Sequence, residues 1–390
     1  MNFYFFHLMP YGALDLSLVD KYESTWTQLP NSAYDPEEGF KLYQRYLGEL
    51  ESAEDLGFDG VVVNEHHQTA YGMMPSPIVI ASALARSTKK MKIAIVGNAI
   101  VLRDHPLTIA EELAMIDTIS GGRLITAFVR GIGTEYYVWQ VNPTFSHERH
   151  YEAHDLIVRA WTEPGPFAFE GKHYHFPYVN IWPRPYQKPH PPIWAPSNGS
   201  RETVNWASDP ERKYTYLSAF GSLDSSARYF DMYRELSKKK GWTPTADKLG
   251  WAGPVYIAET DEQALKEAKP HIESFFNKFI VKPVQSSFPP GYTSIESLRM
   301  VRERHSFIQS GGQSAEDVIK AGVFLCGSPD TVRKQIGRLV NDMDVGHIMA
   351  NLQFGTMPHE LTAKNMENFA KEIIPYFKAQ RRKTESSAAE

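Results

Sequence analysis

Cysteine is nearly absent: a single residue, Cys326, stands in a chain of 390. One thiol rules out intrachain disulfides and any cysteine cage around a metal. Charge of one sign is also lacking. Lys and Arg number 41 against 46 Asp and Glu, a net charge of -5, with no long basic run to attract nucleic acid or an anionic membrane. No apolar run approaches the ~20 residues that a membrane span needs, and the first residues lack the charged-then-apolar order of a secretion signal. A cytoplasmic protein is expected. The chain has no G-x-G-x-x-G turn after its first strand, no P-loop, no G-x-S-x-G elbow and no H-E-x-x-H pair. What it does have is 42% hydrophobic and 22% charged residues, the balance of a globular protein with a sizeable core.

Short β-rich runs alternate with longer amphipathic ones, the pattern of parallel strands joined by helices. Strands are expected at 2–7, 60–64, 92–99, 123–129, 192–195, 214–219, 250–257 and 347–353, each followed by at least one helix. That count matches a (β/α)8 TIM barrel with inserted loops at the C-terminal face of its strands. Irregular segments rich in Pro, Gly and aromatic residues cover 9–39, 165–191 and 281–322. No compositional break separates a second domain, so residues 1–380 are expected to form one unit. The polar stretch 381–390 is expected to be an unstructured tail.

Chemistry in such barrels sits at the C-terminal ends of the strands. There the second strand runs straight into Glu65, His66 and His67. Alternation puts Glu65 and His67 on one side and His66 on the other, so one imidazole could face the barrel mouth; three polar residues capping a strand is the alternative. Asn98 and Ala99 end the third strand, small enough for a flat group or simply for close packing. Arg130, beside Gly131 and Gly133, suits a phosphate or a salt bridge. Gly199 and Ser200 precede a helix that includes Thr203, either an anion site or a plain Ser N-cap. The pair His173 and His175, and the set His147, His150 and His154, have no evident carboxylate partners at a strand end, so no metal is expected.

Four stretches in register resemble the bacterial luciferase-like flavin monooxygenases. These are GFDGVVVNEHHQTAYG, NAIVLRDHPLTIAEELAMIDTISGGRLITAFVRG, SNGSRETVNWA and CGSPDTVRKQI. The similarity runs from Asn2 to about Phe377. It implies FMN as cofactor, with Arg130, Gly199, Ser200 and Thr203 at its phosphate. It implies a cis peptide between Asn98 and Ala99 beneath the flavin ring, and His66 as the active-site imidazole. Bacterial luciferase has a cysteine beside the reactive flavin carbon where this chain has Val129. The resemblance therefore speaks for oxygen chemistry without light. It also makes 281–322 a mobile lid.

The expected activity is that of a two-component FMN monooxygenase. It would use O2 and reduced FMN from a separate flavin reductase to hydroxylate a small organic substrate, or to insert oxygen in the Baeyer–Villiger manner. A deazaflavin-dependent dehydrogenase of the same fold, or a non-catalytic flavin-binding relative, are the alternatives. A homodimer or higher homo-oligomer is expected.

Overall fold

The computed structural model describes residues 1–197, 199–295, 298–299 and 312–389. Valines 61, 62 and 63 have no exposure, because β2 (Gly60–Val63) lies between two other strands with helices outside it. Burial on both faces is why the parallel strands read as continuous apolar runs. In ring order the strands are β1 (Asn2–Phe6), β2, β3 (Lys92–Ala99), β4 (Leu124–Val129), β7 (Ile193–Ser197), β8 (Thr215–Ala219), β9 (Leu249–Ile257) and β11 (His347–Asn351). All neighbours pair in parallel, and β11 closes on β1 through Asn2 to His347 and Phe6 to Asn351. The eight expected strands are therefore the eight staves of a closed barrel.

Several elements lay outside the sequence reading. A hairpin of β5 (Phe167–Glu170) and β6 (His175–Val179) occupies part of the irregular stretch 165–191. The strand β10 (Leu325–Gly327) extends the far end of β9. A short helix, Gly133–Trp139, follows β4. At the C-terminus a helix spans Ile374–Ala389 and enters the stretch expected to be an unstructured tail; Ala, Arg, Lys and Gln there are good helix formers. Among the described residues no helix is long and apolar enough to cross a membrane.

The segment after β1 folds back over the barrel mouth and is tied to the chain that follows β9. Trp26 Nε1 donates to the Phe279 carbonyl at 3.0 Å, and Thr25 Oγ1 donates to the same oxygen at 2.9 Å. Of the stretch 281–322, residues 296–297 and 300–311 lie outside the described residues. Its first part forms a turn of helix, Val284–Ser287, against Gly133. A Cβ on Gly133 would stand 2.1 Å from the Ser287 carbonyl oxygen, so only glycine allows the two backbones this close.

Arg123, in the Ser-Gly-Gly-Arg turn before β4, is a structural residue. Its guanidinium donates to the carbonyls of Ser120 (2.9 Å), Met91 (3.0 Å), Ala85 (2.8 Å) and Thr88 (3.1 Å) and to Thr88 Oγ1 (2.8 Å). Those carbonyls belong to the C-terminal ends of the helices Pro77–Ser87 and Pro106–Ser120 and to the turn before β3, where no ladder satisfies them. Arg123→Met should leave several unpaired and cost roughly 2–4 kcal/mol in chemical denaturation, since a buried unsatisfied group costs about 1–3 kcal/mol. Ligand binding at the barrel mouth should not change.

Candidate active site

Just past the end of β2, Glu65 is a buried carboxylate with both oxygens engaged. Oε1 accepts from His67 Nε2 at 2.7 Å and from Arg103 Nη1 at 2.9 Å, while Oε2 accepts the Ala99 N–H at 3.2 Å. Burial alone would raise its pKa, but the hydrogen bond from His67 and the charge of Arg103 outweigh that and hold the carboxyl below its usual range. Glu65 and His67 thus form the buttress expected on one side of the strand end. His66 turns the other way, into a cavity at the barrel mouth.

His66 Nδ1 lies 3.1 Å from Oε1 of Glu135, a carboxylate on the short helix after β4. The second oxygen of Glu135 accepts the Ile132 N–H at 2.9 Å, so the carboxylate is fixed at both ends. Trp26 and Tyr71 meet the imidazole edge-on, with ring centroids at 5.1 and 5.0 Å. Carboxylate and two aromatic walls leave the imidazole one orientation, with its Nε2 not held by Glu135. Such a group can pass a proton to or from a ligand in the cavity.

The cavity has a volume of about 360 Å³. Val96, Gly97, Phe128 and Val129 form one apolar side, and Arg130, His147, Ser197, Ser200 and Thr203 gather at the polar end. The structure thus brings His66, Val129, Arg130, Ser200 and Thr203 into one space. Gly199 adjoins it with φ at 102°. Its N–H and that of Ser200 donate to Ser197 Oγ at 3.0 and 2.8 Å, and the Thr203 N–H donates to Ser200 Oγ at 3.3 Å. The expectation of open N–H groups at this turn is therefore corrected: neighbouring hydroxyls already accept from them. Arg130 Nη1 donates to Ser146 Oγ and to the Tyr292 carbonyl, both at 2.9 Å, with Tyr292 stacked 4.5 Å from the guanidinium.

Asn98 and Ala99 do not line the cavity. Asn98 Nδ2 donates to Thr126 Oγ1 at 3.1 Å inside the wall, and the Ala99 N–H is taken by Glu65. The cis peptide lies one pair earlier, between Val96 and Gly97. The β3–β4 register shifts between Ile95 and Asn98, and this bulge re-aims the strand so that Val96 and Gly97 meet the cavity. Simple alternation along β3 could not have shown that.

Glu135, Trp26, Tyr71 and Lys282 escaped the sequence reading. Glu135 carried one signal, a carboxylate in the first turn after a Gly-x-Gly bend, but the helix was too short to register as periodic. Trp26 and Lys282 come from the inserted segments and Tyr71 from the loop after β2, where no pattern fixes which side chain points inward. Of the histidines weighed as metal ligands, His154 bonds Asp155 and Tyr214 at 2.8 Å each, while His173 and His175 pair with Glu148 and Glu170 at the surface.

His147 and His150 have depressed pKa values. Burial, then the nearby Arg130 charge, brings His147 to about 4; burial, then the charges of His154 and Arg130, takes His150 well below its usual value. Unfolded, both would titrate near ~6.5. Below that pH the unfolded chain binds protons that the folded chain refuses, so their stabilising contribution is complete above ~6.5 and is lost as pH falls. His150→Gln should therefore lose less stability between pH 7 and pH 5 than the parent, by about 1 kcal/mol, read from denaturation midpoints.

Three comparisons place this geometry among known proteins. The family model for luciferase-like monooxygenases matches residues 26–344. The 2,5-diketocamphane 1,2-monooxygenase 2 of Pseudomonas putida is 23% identical over 350 residues, covering 83% of this chain and 91% of that protein. The flavin-dependent trigonelline monooxygenase oxygenase component of Acinetobacter baylyi is 29% identical over 157 residues, covering 40% and 43%. Among solved structures, monooxygenase RslO1 from Streptomyces bottropensis superposes with a TM-score of 0.73 at 23% identity, covering 97% of this chain and 100% of that one. The oxygenating constituent of 3,6-diketocamphane monooxygenase from Pseudomonas putida, in complex with FMN, gives 0.68 at 19%, covering 96% and 98%. An F420-dependent secondary alcohol dehydrogenase gives 0.64 at 16%, covering 85% and 94%, so at these identities superposition speaks for the barrel alone. The family match covers most of the chain: it belongs to the luciferase-like monooxygenases, and is a flavin-dependent oxidoreductase on a (β/α)8 barrel.

Proposed function

We propose that the chain is the oxygenase component of a two-component system. It takes reduced FMN from a separate reductase and transfers one atom of O2 to a small organic molecule, by hydroxylation or Baeyer–Villiger insertion. The observation that carries this reading is the layout of one cavity: an apolar wall, a cationic and hydroxyl-bearing end, and a carboxylate-held imidazole. The residues fit FMN. Val96, Gly97 and Val129 offer a flat apolar surface for a ring system, and Gly97 is required there, since its Cβ would stand 2.6 Å from Val129 Cγ1. Arg130 and the side chains of Ser200 and Thr203 would hold the phosphate, beside the turn at Gly199. Nearby, His150 Nδ1 is buried without a hydrogen-bond partner among the described residues, a polar atom that a ligand could satisfy.

Bound in its reduced form, FMN would supply two electrons and the place at which O2 is activated. The chain's own work is then threefold. Trp26, Tyr71, Phe275 and Phe276 line the cavity and exclude water from it. His66, positioned by Glu135, moves a proton to or from the reacting oxygen atoms. The part of 281–322 that reaches Tyr292 covers Arg130 and closes the phosphate end. The F420-dependent relatives share the barrel, so oxidation of an alcohol by F420 without O2 would replace this reading.

Arg130→Ala should weaken FMN binding about 10- to 150-fold, the value of a charge-assisted contact of ~1.5–3 kcal/mol, and leave riboflavin binding nearly unchanged. Equal losses for the two ligands would remove the phosphate assignment.

His66→Ala should keep its FMN affinity while product formation falls ~10²–10⁴-fold, the range for a lost proton-transfer group. Hydrogen peroxide should accumulate in place of product. Glu135→Gln should fall between that variant and the parent, because the imidazole keeps a partner but loses its countercharge. Parental product yield from His66→Ala would make the imidazole structural.

A further inference from the structure

A second cation enters the cavity apart from the phosphate end. Lys282 lines the same space, and its Nζ stands 4.4 Å from the Trp26 ring centroid. Arg130, by contrast, stands over Tyr292, so the two cations rest on different rings. Among the described residues no carboxylate lies within ion-pair distance of Lys282, and the hydrogen bond it makes is a long one to the Ile280 carbonyl at 3.3 Å. Glu135 is the nearest candidate, but its oxygens already serve His66 and the Ile132 N–H. Burial lowers the Lys282 pKa to about 8, against the opposing pull of Glu135, so the side chain is still largely charged at neutral pH.

An ammonium on an apolar wall without an ion-pair partner is costly; stacking on an indole offsets about 0.5–2 kcal/mol of that. A ligand anion would offset more. The surrounding surface also limits what can carry that anion. Trp26, Tyr71, Phe275 and Phe276 are flat and apolar, suited to a ring, and the imidazole of His66 lies among them. A neutral hydrocarbon would use the rings and leave the ammonium uncompensated.

We propose that Lys282 is a substrate-binding residue whose ammonium receives the carboxylate of a small ring-bearing organic acid, holding the ring against Trp26 and Tyr71 beside His66. This deepens the oxygenase reading by naming its substrate class and rests on it for the identity of the site. Lys282 then decides between acids and their neutral analogues, while Arg130 remains with the cofactor phosphate.

Calorimetric titration of the FMN-loaded protein with benzoate and with benzamide tests this without turnover. The ligands match in size and differ in charge. Benzoate should bind at least tenfold more tightly. Lys282→Met should abolish the preference and leave FMN affinity at the parental value, and Lys282→Arg should retain most of it. Benzoate, and not benzamide, should also slow the reaction of Lys282 in the parent with an amine-acylating reagent, read by peptide mass. Equal affinity for both ligands in the parent, a preference that survives Lys282→Met, or no protection of Lys282 by benzoate would each overturn the proposal. Because no step depends on O2, failure of the oxygenase reading would show separately, as absence of oxygen uptake with reduced FMN.

Discussion

A carboxylate removed from water must find donors for its oxygens, and Glu65 draws three parts of the chain together to do so. His67 comes from its own strand end, Arg103 from the turn after β3, and the Ala99 N–H from the last residue of β3. Breaking such a pairing would strand a buried charge, so the ends of β2 and β3 are locked in relative position. That lock decides which way His66 faces. It also holds the end of the bulge that carries Val96 and Gly97 into the cavity. One buried anion thus sets both the imidazole and the apolar wall of the cavity.

The polar groups around the cavity divide by what already satisfies them. Glu65, Glu135 and the N–H groups of Gly199 and Ser200 are occupied within the protein and act as framework. Arg130 is engaged too, but by a serine hydroxyl and the carbonyl of Tyr292, neutral acceptors that an anion outcompetes. Among the described residues Lys282 has a long contact to a carbonyl and the face of Trp26, and no carboxylate at ion-pair distance. Binding capacity therefore resides in the two cations, and their separation suits a cofactor and a substrate each bringing its own negative charge.

The barrel was legible in the sequence because its strands are buried on both faces, and runs such as Val61 to Val63 or Ile93 to Val96 announce that directly. The division expected of Glu65, His66 and His67 is also seen, with Glu65 and His67 paired and His66 in the cavity, although all three lie beyond the end of β2 at Val63. The Asn98–Ala99 assignment failed where regularity fails: a bulge adds a residue and shifts every later side chain. Glu135 was hidden by the brevity of the helix Gly133–Trp139, and Trp26 and Lys282 by segments whose path depends on contacts far away in sequence. Local pattern reveals elements that repeat; it does not reveal where an insertion lands.

A second and larger cavity, about 1030 Å³, lies outside the one that His66 enters, with Leu29, Tyr34 and Tyr137 in its walls. Trp26 belongs to the lining of both. One indole, pinned by the Phe279 carbonyl, is thus a party wall between an inner and an outer chamber. A change in its bulk alters the inner and the outer chamber together. Divergence in substrate choice that spares the inner volume must therefore run through residues such as Leu29 and Tyr34, which face only the outer chamber. Residues facing only the inner one, such as Phe276, are left to set the fit around the reacting atoms.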